Sequence, residues 1–282
     1  MMYLLKINSQ SNHRFRKSTG GCAIRVSELV DAILQEQSVF RSFSHWKTLN
    51  EKCTAFCAPD TDLVPHWNLV YPSSVDARFN ESDRQLIQSF YGERGRRPHL
   101  LTLGDDRKNC SVERLHYLVL RESLRMQVAL PCLKVDDGFM ARHDVDLEAF
   151  ADVVGAVFNF DEDTRRFFLS KMELMSRIDG SQFWIVYSGK RPIGTASTFL
   201  TENGGRFLFN VAIVQDVQNR GLGKSMLQTV VDETPRPIYV SSPNAAMVET
   251  ILPSLGFECL GVANIVPIDR YSFASLPQES CS

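Results

Sequence analysis

No excess of either charge marks this chain, in which 31 Lys and Arg face 33 Asp and Glu, for a net charge of −2 over 282 residues. A global field that would draw it onto nucleic acid or an anionic membrane is therefore not expected. Long apolar runs are missing too: no stretch approaches the ~20 residues of a membrane span. The opening Met1-Met2-Tyr3-Leu4-Leu5 is too short for a signal-peptide core and is interrupted at Lys6, Asn8 and Ser9. The expectation is a cytoplasmic protein, a monomer or homodimer, with no nucleic-acid or membrane partner. The seven cysteines, at positions 22, 53, 57, 110, 132, 259 and 281, form no framework. Cys53 and Cys57 could be half a metal site, but no Cys or His pair follows at finger spacing. Reduced thiols near apolar cores are expected instead, and no metal. His66 and the His143-Asp144 pair lack a placed partner and read as structural or exposed.

The length leaves room for about two domains. Residues 1 to about 25 are polar and basic and are expected to be loosely attached. Val26 to Phe40 carries apolar residues at helical spacing. His66 to Tyr71 reads as a strand stopped by Pro72 and Asp83 to Tyr91 as a helix. Leu100 to Leu103, Tyr117 to Leu120 and Met126 to Leu130 read as strands. Pro131 to Gly138 has the composition of a boundary, which a shared or swapped strand could cross. Beyond it, Leu147 to Phe158 and Thr164 to Met175 read as amphipathic helices. Phe158, Phe160, Phe167 and Phe168 could line a pocket, but at helical spacing they read more simply as core. The basic loop Tyr91 to Arg97 reads as a solvated turn.

Glycine placement is the informative feature. The run from Val211 to Leu227 reads as an apolar strand, a polar turn, a glycine-spaced loop and a helix start. Such a loop leaves unpaired backbone N–H groups at the positive end of a helix dipole, which suits a phosphate or pyrophosphate. Gly221 and Gly223 would let that ligand approach the main chain. Gly223-Lys224-Ser225 imitates the end of a P-loop, yet the first P-loop glycine would fall on Gln218. A dinucleotide fingerprint would need glycine where Met226 stands. Gln218-Asn219-Arg220-Gly221-Leu222-Gly223 fits [QR]-x-x-G-x-[GA] without exception.

That last pattern is the acyl-CoA loop of the GNAT N-acetyltransferase superfamily, which this chain resembles. The flanks extend the resemblance from about Leu133 onward. Arg191 to Leu200 and Phe207 to Ile213 read as strands joined by a turn ending Asn203-Gly204-Gly205. Pro237 to Ser241 reads as the next strand. Ser242-Pro243-Asn244 offers an N-cap serine with proline at the first helical position, and that helix closes at Leu255-Gly256-Phe257.

The resemblance implies an α/β fold (an α+β mixed sheet), the GNAT acyl-CoA N-acyltransferase fold, with acetyl-CoA as co-substrate. It implies cofactor contacts from the backbone of Val211, Ala212 and Ile213, from Gln218, Asn219, Arg220, Gly221, Leu222, Gly223, Lys224 and Ser225, and from Asn244. The implied reaction is direct acetyl transfer to a primary amine of a small molecule or peptide. Its alternative is a non-catalytic acyl-CoA-binding module acting as a sensor or regulator. Two positions depart from the family pattern. Where many members carry a tyrosine acid stands Leu252, and where some carry a glutamate base the strand offers Asn210, the catalytic candidate. Residues 133–282 are thus the expected GNAT domain. Residues 1–132 parallel it in element order, with Asn68-Leu69-Val70 placed as Asn210-Val211-Ala212 is, but Ser73 to Asn80 holds no glycine. A degenerate GNAT-like repeat is expected there, with an accessory domain as the alternative.

Overall fold

The computed structural model describes residues 26–42, 44–57, 68–74, 77–103, 113–121, 139–141, 146–271 and 273. Residues 1–25, His66, Trp67, the strand expected at 126–130, the boundary at 131–138 and the His143-Asp144 pair lie outside them. In chain order the first elements are α1 (Val26–Arg41), β1 (His45–Asn50), β2 (Cys53–Cys57), β3 (Leu69–Pro72), α2 (Glu81–Gly92), β4 (His99–Leu103) and β5 (Glu113–Leu120). They are followed by β6 (Phe139–Ala141), α3 (Leu147–Phe158), α4 (Glu162–Ser176), β7 (Gln182–Ser188), β8 (Arg191–Leu200) and β9 (Arg206–Ile213). The last are α5 (Leu222–Glu233), β10 (Ile238–Ser242), a π-helical turn (Met247–Ile251) running into α6 (Leu252–Ser254), and β11 (Glu258–Pro267). The β1–β2 pair and β11 were not anticipated. The Asn50-Glu51-Lys52 turn lacks the glycine that signals a tight hairpin.

The chain divides into two compact units, and neither is a simple half of the sequence. One takes Phe40–Leu115 and the chain from Val262; the other takes the chain up to Val39 and His116–Gly261. In the first, β1, β2 and β3 form successive antiparallel pairs, and β4 runs parallel to β3. Residues 263–267 of β11 then add antiparallel to β4. Because α2 is the crossover between parallel strands, it presents Ile87, Phe90 and Tyr91 to the sheet, against Ala55, Val70 and Leu100. The Tyr91 hydroxyl donates to the Phe56 carbonyl at 2.7 Å, which satisfies it in the core. Cys53 and Cys57 are buried thiols on β2. Burial first, and the charge of Asp83 second, push the Cys53 thiol up to about 12, so it stays protonated and unreactive.

The start of α2 is closed by the chain itself. Asn80 Oδ1 accepts from Asp83 N at 3.0 Å, while Asp83 Oδ2 accepts from Asn80 N at 2.8 Å. This reciprocal capping box is joined by Lys52 Nζ, 2.9 Å from Asp83 Oδ2, and Asn50 Nδ2, 2.8 Å from Asp83 Oδ1. Burial raises the affinity of Asp83 for a proton, but the Asn80 amide, the Lys52 ammonium and the Asn50 amide outweigh it and hold its carboxyl below the usual range. A depressed folded-state value contributes stability above the unfolded pKa and loses it as pH falls through the folded one. Asp83→Asn should therefore cost about 1 kcal/mol at pH 7. In thermal melts the gap from the parent should close as the pH drops below ~4.

The second unit repeats the same order. β7, β8 and β9 pair antiparallel in succession, α5 crosses over, and β10 runs parallel to β9. β5 then adds antiparallel to β10, from Ile238↔Leu120 to Ser242↔His116. Each unit is thus completed by a strand from the other half of the sequence. Asp146 and Asp161 cap α3 and α4 through the amides of Ala149 and Thr164. Phe150 and Phe168 stack under these helices, and Phe150 meets Phe183 edge-on with centroids 5.4 Å apart. Phe168 is sealed in this core, whereas Phe158, Phe160 and Phe167 are half-buried. α1 is fixed to β5 and β10 by the fully buried Glu36, which accepts from Tyr117 Oη at 2.6 Å and Ser241 Oγ at 2.7 Å. Among the described residues, no helix is long and apolar enough to cross a membrane, and no cluster of side chains could hold a metal.

Candidate functional site

β9 reaches the site with a bulge. Thr195 pairs with Ala212 and Ser197 with Phe209, so Asn210 and Val211 together stand opposite Ala196. Asn210 takes a left-handed φ of 53°, which asparagine tolerates better than other residues bearing a side chain. Hydroxyls from β8 meet the displaced carbonyls. Thr195 Oγ1 donates to Asn210 O at 3.0 Å, and Ser197 Oγ donates to Phe209 O at 3.2 Å. The Asn210 side chain lies beneath them, 2% exposed. Its Nδ2 donates to Ser197 Oγ at 3.0 Å and to Met172 Sδ on α4 at 3.5 Å.

On its other edge β9 is paired with β10 only at Arg206↔Ile238 and Phe207↔Tyr239. Beyond those two rungs the parallel strands part. Val211, Ala212 and Ile213, read from the sequence as backbone contacts, all lie past the point of parting. Backbone N–H groups on such an unzipped edge are open to a ligand laid between the strands.

The loop follows directly. A 3₁₀ turn over Gln215–Val217 leads to Asn219 and Gly221, at φ 63° and 79°. Gly221 is the N-cap of α5, and no side chain caps that helix. The first-turn amides of Leu222, Gly223 and Lys224 are left for an external acceptor. The contrast with α2 is chemical: there Asn80 caps the first turn and the Asp83 carboxylate stands beside it. Gln218 serves the loop, its Nε2 donating to Ile213 O at 2.7 Å. Arg191 binds Asp216 with both nitrogens, at 2.6 and 3.0 Å, which neutralises the acidic residue of the turn. The side chains of Arg220 and Lys224 then leave the loop positive. α5 packs closely on the sheet because Gly194 makes room: a Cβ there would lie 2.5 Å from Ile213 Cδ1 and 3.4 Å from Met226 Sδ.

Beyond β10 two readings need correction. Asn244, not Ser242, caps the next helix: Asn244 Oδ1 accepts from Met247 N at 3.1 Å, and Ser242 Oγ accepts from Asn244 N at 3.2 Å. The Asn244 side-chain oxygen is thus committed to the backbone, a choice that Pro243 in the preceding position disguised. Leu252 is completely buried. A phenol there would be over-packed, so Leu252→Tyr is expected to cost about 1–3 kcal/mol of stability, readable as a lowered Tm. The helix closes as expected at Gly256, φ 90°, with Phe257 N bonded to Leu252 O and Gly256 N to Pro253 O. Sequence reasoning missed Ser197 and Met172, the partners of Asn210. The alternation of Thr195 and Ser197 within β8 was the available signal.

A sheet that parts between two parallel strands, beside an uncapped helix led by glycine, is the architecture of the acyl-CoA N-acyltransferase fold. Residues 148–257 carry a GNAT acetyltransferase domain, matching the model described as the acetyltransferase (GNAT) family. The structure is similar to the GCN5-related N-acetyltransferase from Kribbella flavida, at 14% identity over 86% of this chain and 95% of that one, with a TM-score of 0.58. It is also similar to the GCN5-related N-acetyltransferase from Sphaerobacter thermophilus, at 15% identity over 89% and 94%, with a TM-score of 0.54. A tandem GNAT protein from the clavulanic acid biosynthesis pathway aligns at 10% identity over 85% and 93%, with a TM-score of 0.50. At such identities these are likenesses of fold. No curated protein matches the sequence.

Proposed function

We propose that this protein is an acyl-CoA-dependent N-acyltransferase that moves acetyl from acetyl-CoA directly to a primary amine of a small molecule or peptide. The observation that carries the reading is the uncapped N-terminus of α5 next to the parted strands β9 and β10. The first-turn amides of α5, with Arg220 and Lys224, would hold the pyrophosphate. The backbone of Val211 to Ile213 would hold the pantetheine arm and donate to the thioester oxygen as negative charge develops on it. Asn244 would flank the arm from the β10 side. Residues 133–282 supply this site in the proposal, and residues 1–132 are a degenerate GNAT-like repeat. A cytoplasmic monomer or homodimer needs no nucleic acid or membrane for this activity.

A non-catalytic acyl-CoA-binding module is the second reading, favoured by the buried Leu252 in the usual position of the acid and by a neutral residue, Asn210, at the bulge. Thiol release from acetyl-CoA in the presence of a broad amine panel decides between them. Release at the uncatalysed rate with every amine would leave only the binding module. Calorimetry should also find one acetyl-CoA per chain, because the Asn80–Asp83 capping box already occupies the helix end in the first unit. A stoichiometry of two would show that the first unit kept a site.

A further inference from the structure

The hydrogen-bond network at the bulge fixes which way the Asn210 amide faces. Ser197 Oγ has one proton, and that proton is given to Phe209 O. Towards Asn210 the hydroxyl can only accept, so the amide must turn its nitrogen to Ser197, and the thioether of Met172 receives the same nitrogen. The Asn210 oxygen is therefore directed away from both. Among the described residues no donor meets Oδ1, and it is not among the sealed polar atoms. The bulge thus presents one acceptor oxygen, fixed in direction, and no charge.

The surroundings are neutral as well. Thr195, Ser197 and Met172, the side chains bonded at the bulge, carry no charge. Among the described residues, the charged groups on the elements packed around β9, Lys171 and Lys224 apart, pair with one another or lie exposed: Glu162 and Asp163 of α4 pair with Arg166, and Glu173 of α4 and Glu233 of α5 are exposed. Glu148 and Asp152 of α3 both bind Arg165 of α4, and Arg191 of β8 binds Asp216. Lys171 of α4 is buried, with its ammonium 4.9 Å from the centroid of the Phe167 ring. On α5, Asp232 accepts from Gln228, and Lys224 lies at the loop end. On β10, burial first and the charge of Asp31 second hold the Tyr239 phenol above its ordinary range, so it stays neutral. An ammonium brought into this place would lose its water and, among the described residues, would gain no counter-charge from the side chains bonded at the bulge.

We propose that the acceptor is a weakly basic primary amine, largely uncharged near neutral pH, whose N–H is received by Asn210 Oδ1. This rests on the reading of the second half as an N-acyltransferase. The amine lone pair forms the new C–N bond to the thioester carbon, and the C–S bond breaks with its electron pair on sulfur. The surplus N–H proton passes to the thiolate or to solvent. With an amine that arrives neutral, no enzyme group must first remove a proton. For an alkyl amine of pKa ~10.4 the neutral fraction at pH 7 is roughly one in 2,500, against roughly one in ten for a peptide α-amine of pKa ~8.

The test is thiol release at saturating acetyl-CoA with ring-substituted anilines, an acyl hydrazide, a peptide α-amine and alkyl amines, each followed as a function of pH. The expected result is kcat/KM at pH 7 falling about tenfold for each unit by which the amine pKa exceeds the assay pH. The acidic limb of each profile should follow the amine's own pKa and move from one amine to the next. Asn210→Asp, which places a negative charge at the same position, should raise the ratio of alkyl to aryl turnover at least tenfold. Should that variant misfold, the profiles of the parent protein suffice. An acidic limb fixed at one pH for all amines would reveal an enzyme base and overturn the proposal, as would alkyl amines matching anilines at pH 7. No release with any amine, while calorimetry still shows acetyl-CoA bound, would instead remove the enzymatic reading and this proposal with it.

Discussion

Gly221→Glu is expected to remove acetyl-CoA binding, at least a hundredfold in affinity, while the protein stays folded. Two effects act together. At φ 79° a side chain is strained by roughly 1–2 kcal/mol. The new carboxylate would also lie at the N-cap of α5, where it competes for the amides meant for phosphate and repels the phosphate charge. The first unit shows related chemistry, since there Asn80 stands at the N-cap and takes a first-turn amide, with the Asp83 carboxylate beside it. Gly221→Ala separates the two effects: it carries the strain without the charge, and its loss should be about tenfold or less. Calorimetry with acetyl-CoA, with circular dichroism to confirm folding, reads both. Equal affinity in parent and Gly221→Glu would remove the basis of the functional proposal.

Asn210→Ala is expected to lower turnover by about ten- to a hundredfold while leaving acetyl-CoA affinity nearly unchanged. The amide is buried and held by Ser197 and Met172, so its oxygen is an oriented acceptor. Removing it also leaves Ser197 Oγ without its donor, at a stability cost of about 1 kcal/mol, so Tm should fall slightly. A role in positioning the amine predicts loss in kcat and in the KM for the amine. A purely structural role predicts lower Tm alone. Unchanged turnover would move the search for the reacting group to α3 and α4.

The loop of the site was legible in the sequence because glycines mark backbone geometry locally. Gly256 holds the left-handed conformation its capping position suggested, and Gly221, read only as giving a ligand room, takes a positive φ as well. The helices were legible because an apolar stripe at helical spacing needs no knowledge of distant chain, and the aspartate caps at Asp146 and Asp161 are equally local. What escaped depends on partners far along the sequence. The bulge at Asn210 exists through its register with Thr195 and Ser197, and nothing within β9 announces a slipped rung. The cap at Asn244 escaped because serine before proline is an equally good local start, and tertiary placement decided between them. Asp83 looked like an ordinary early-helix acid. Only its meeting with Lys52 and Asn50, some thirty residues earlier, shows it as the group that closes α2.

The exchanged strands make each unit depend on both halves of the sequence. The unit that holds residues 148–257 includes most of β5 and most of α1, both encoded before residue 133. A gene shortened to its second half would produce a sheet ending at β10 with a bare edge, and Ser241 would lose its Glu36 partner. Such an exposed strand recruits other chains. The second half expressed alone is therefore expected to self-associate where the whole chain does not.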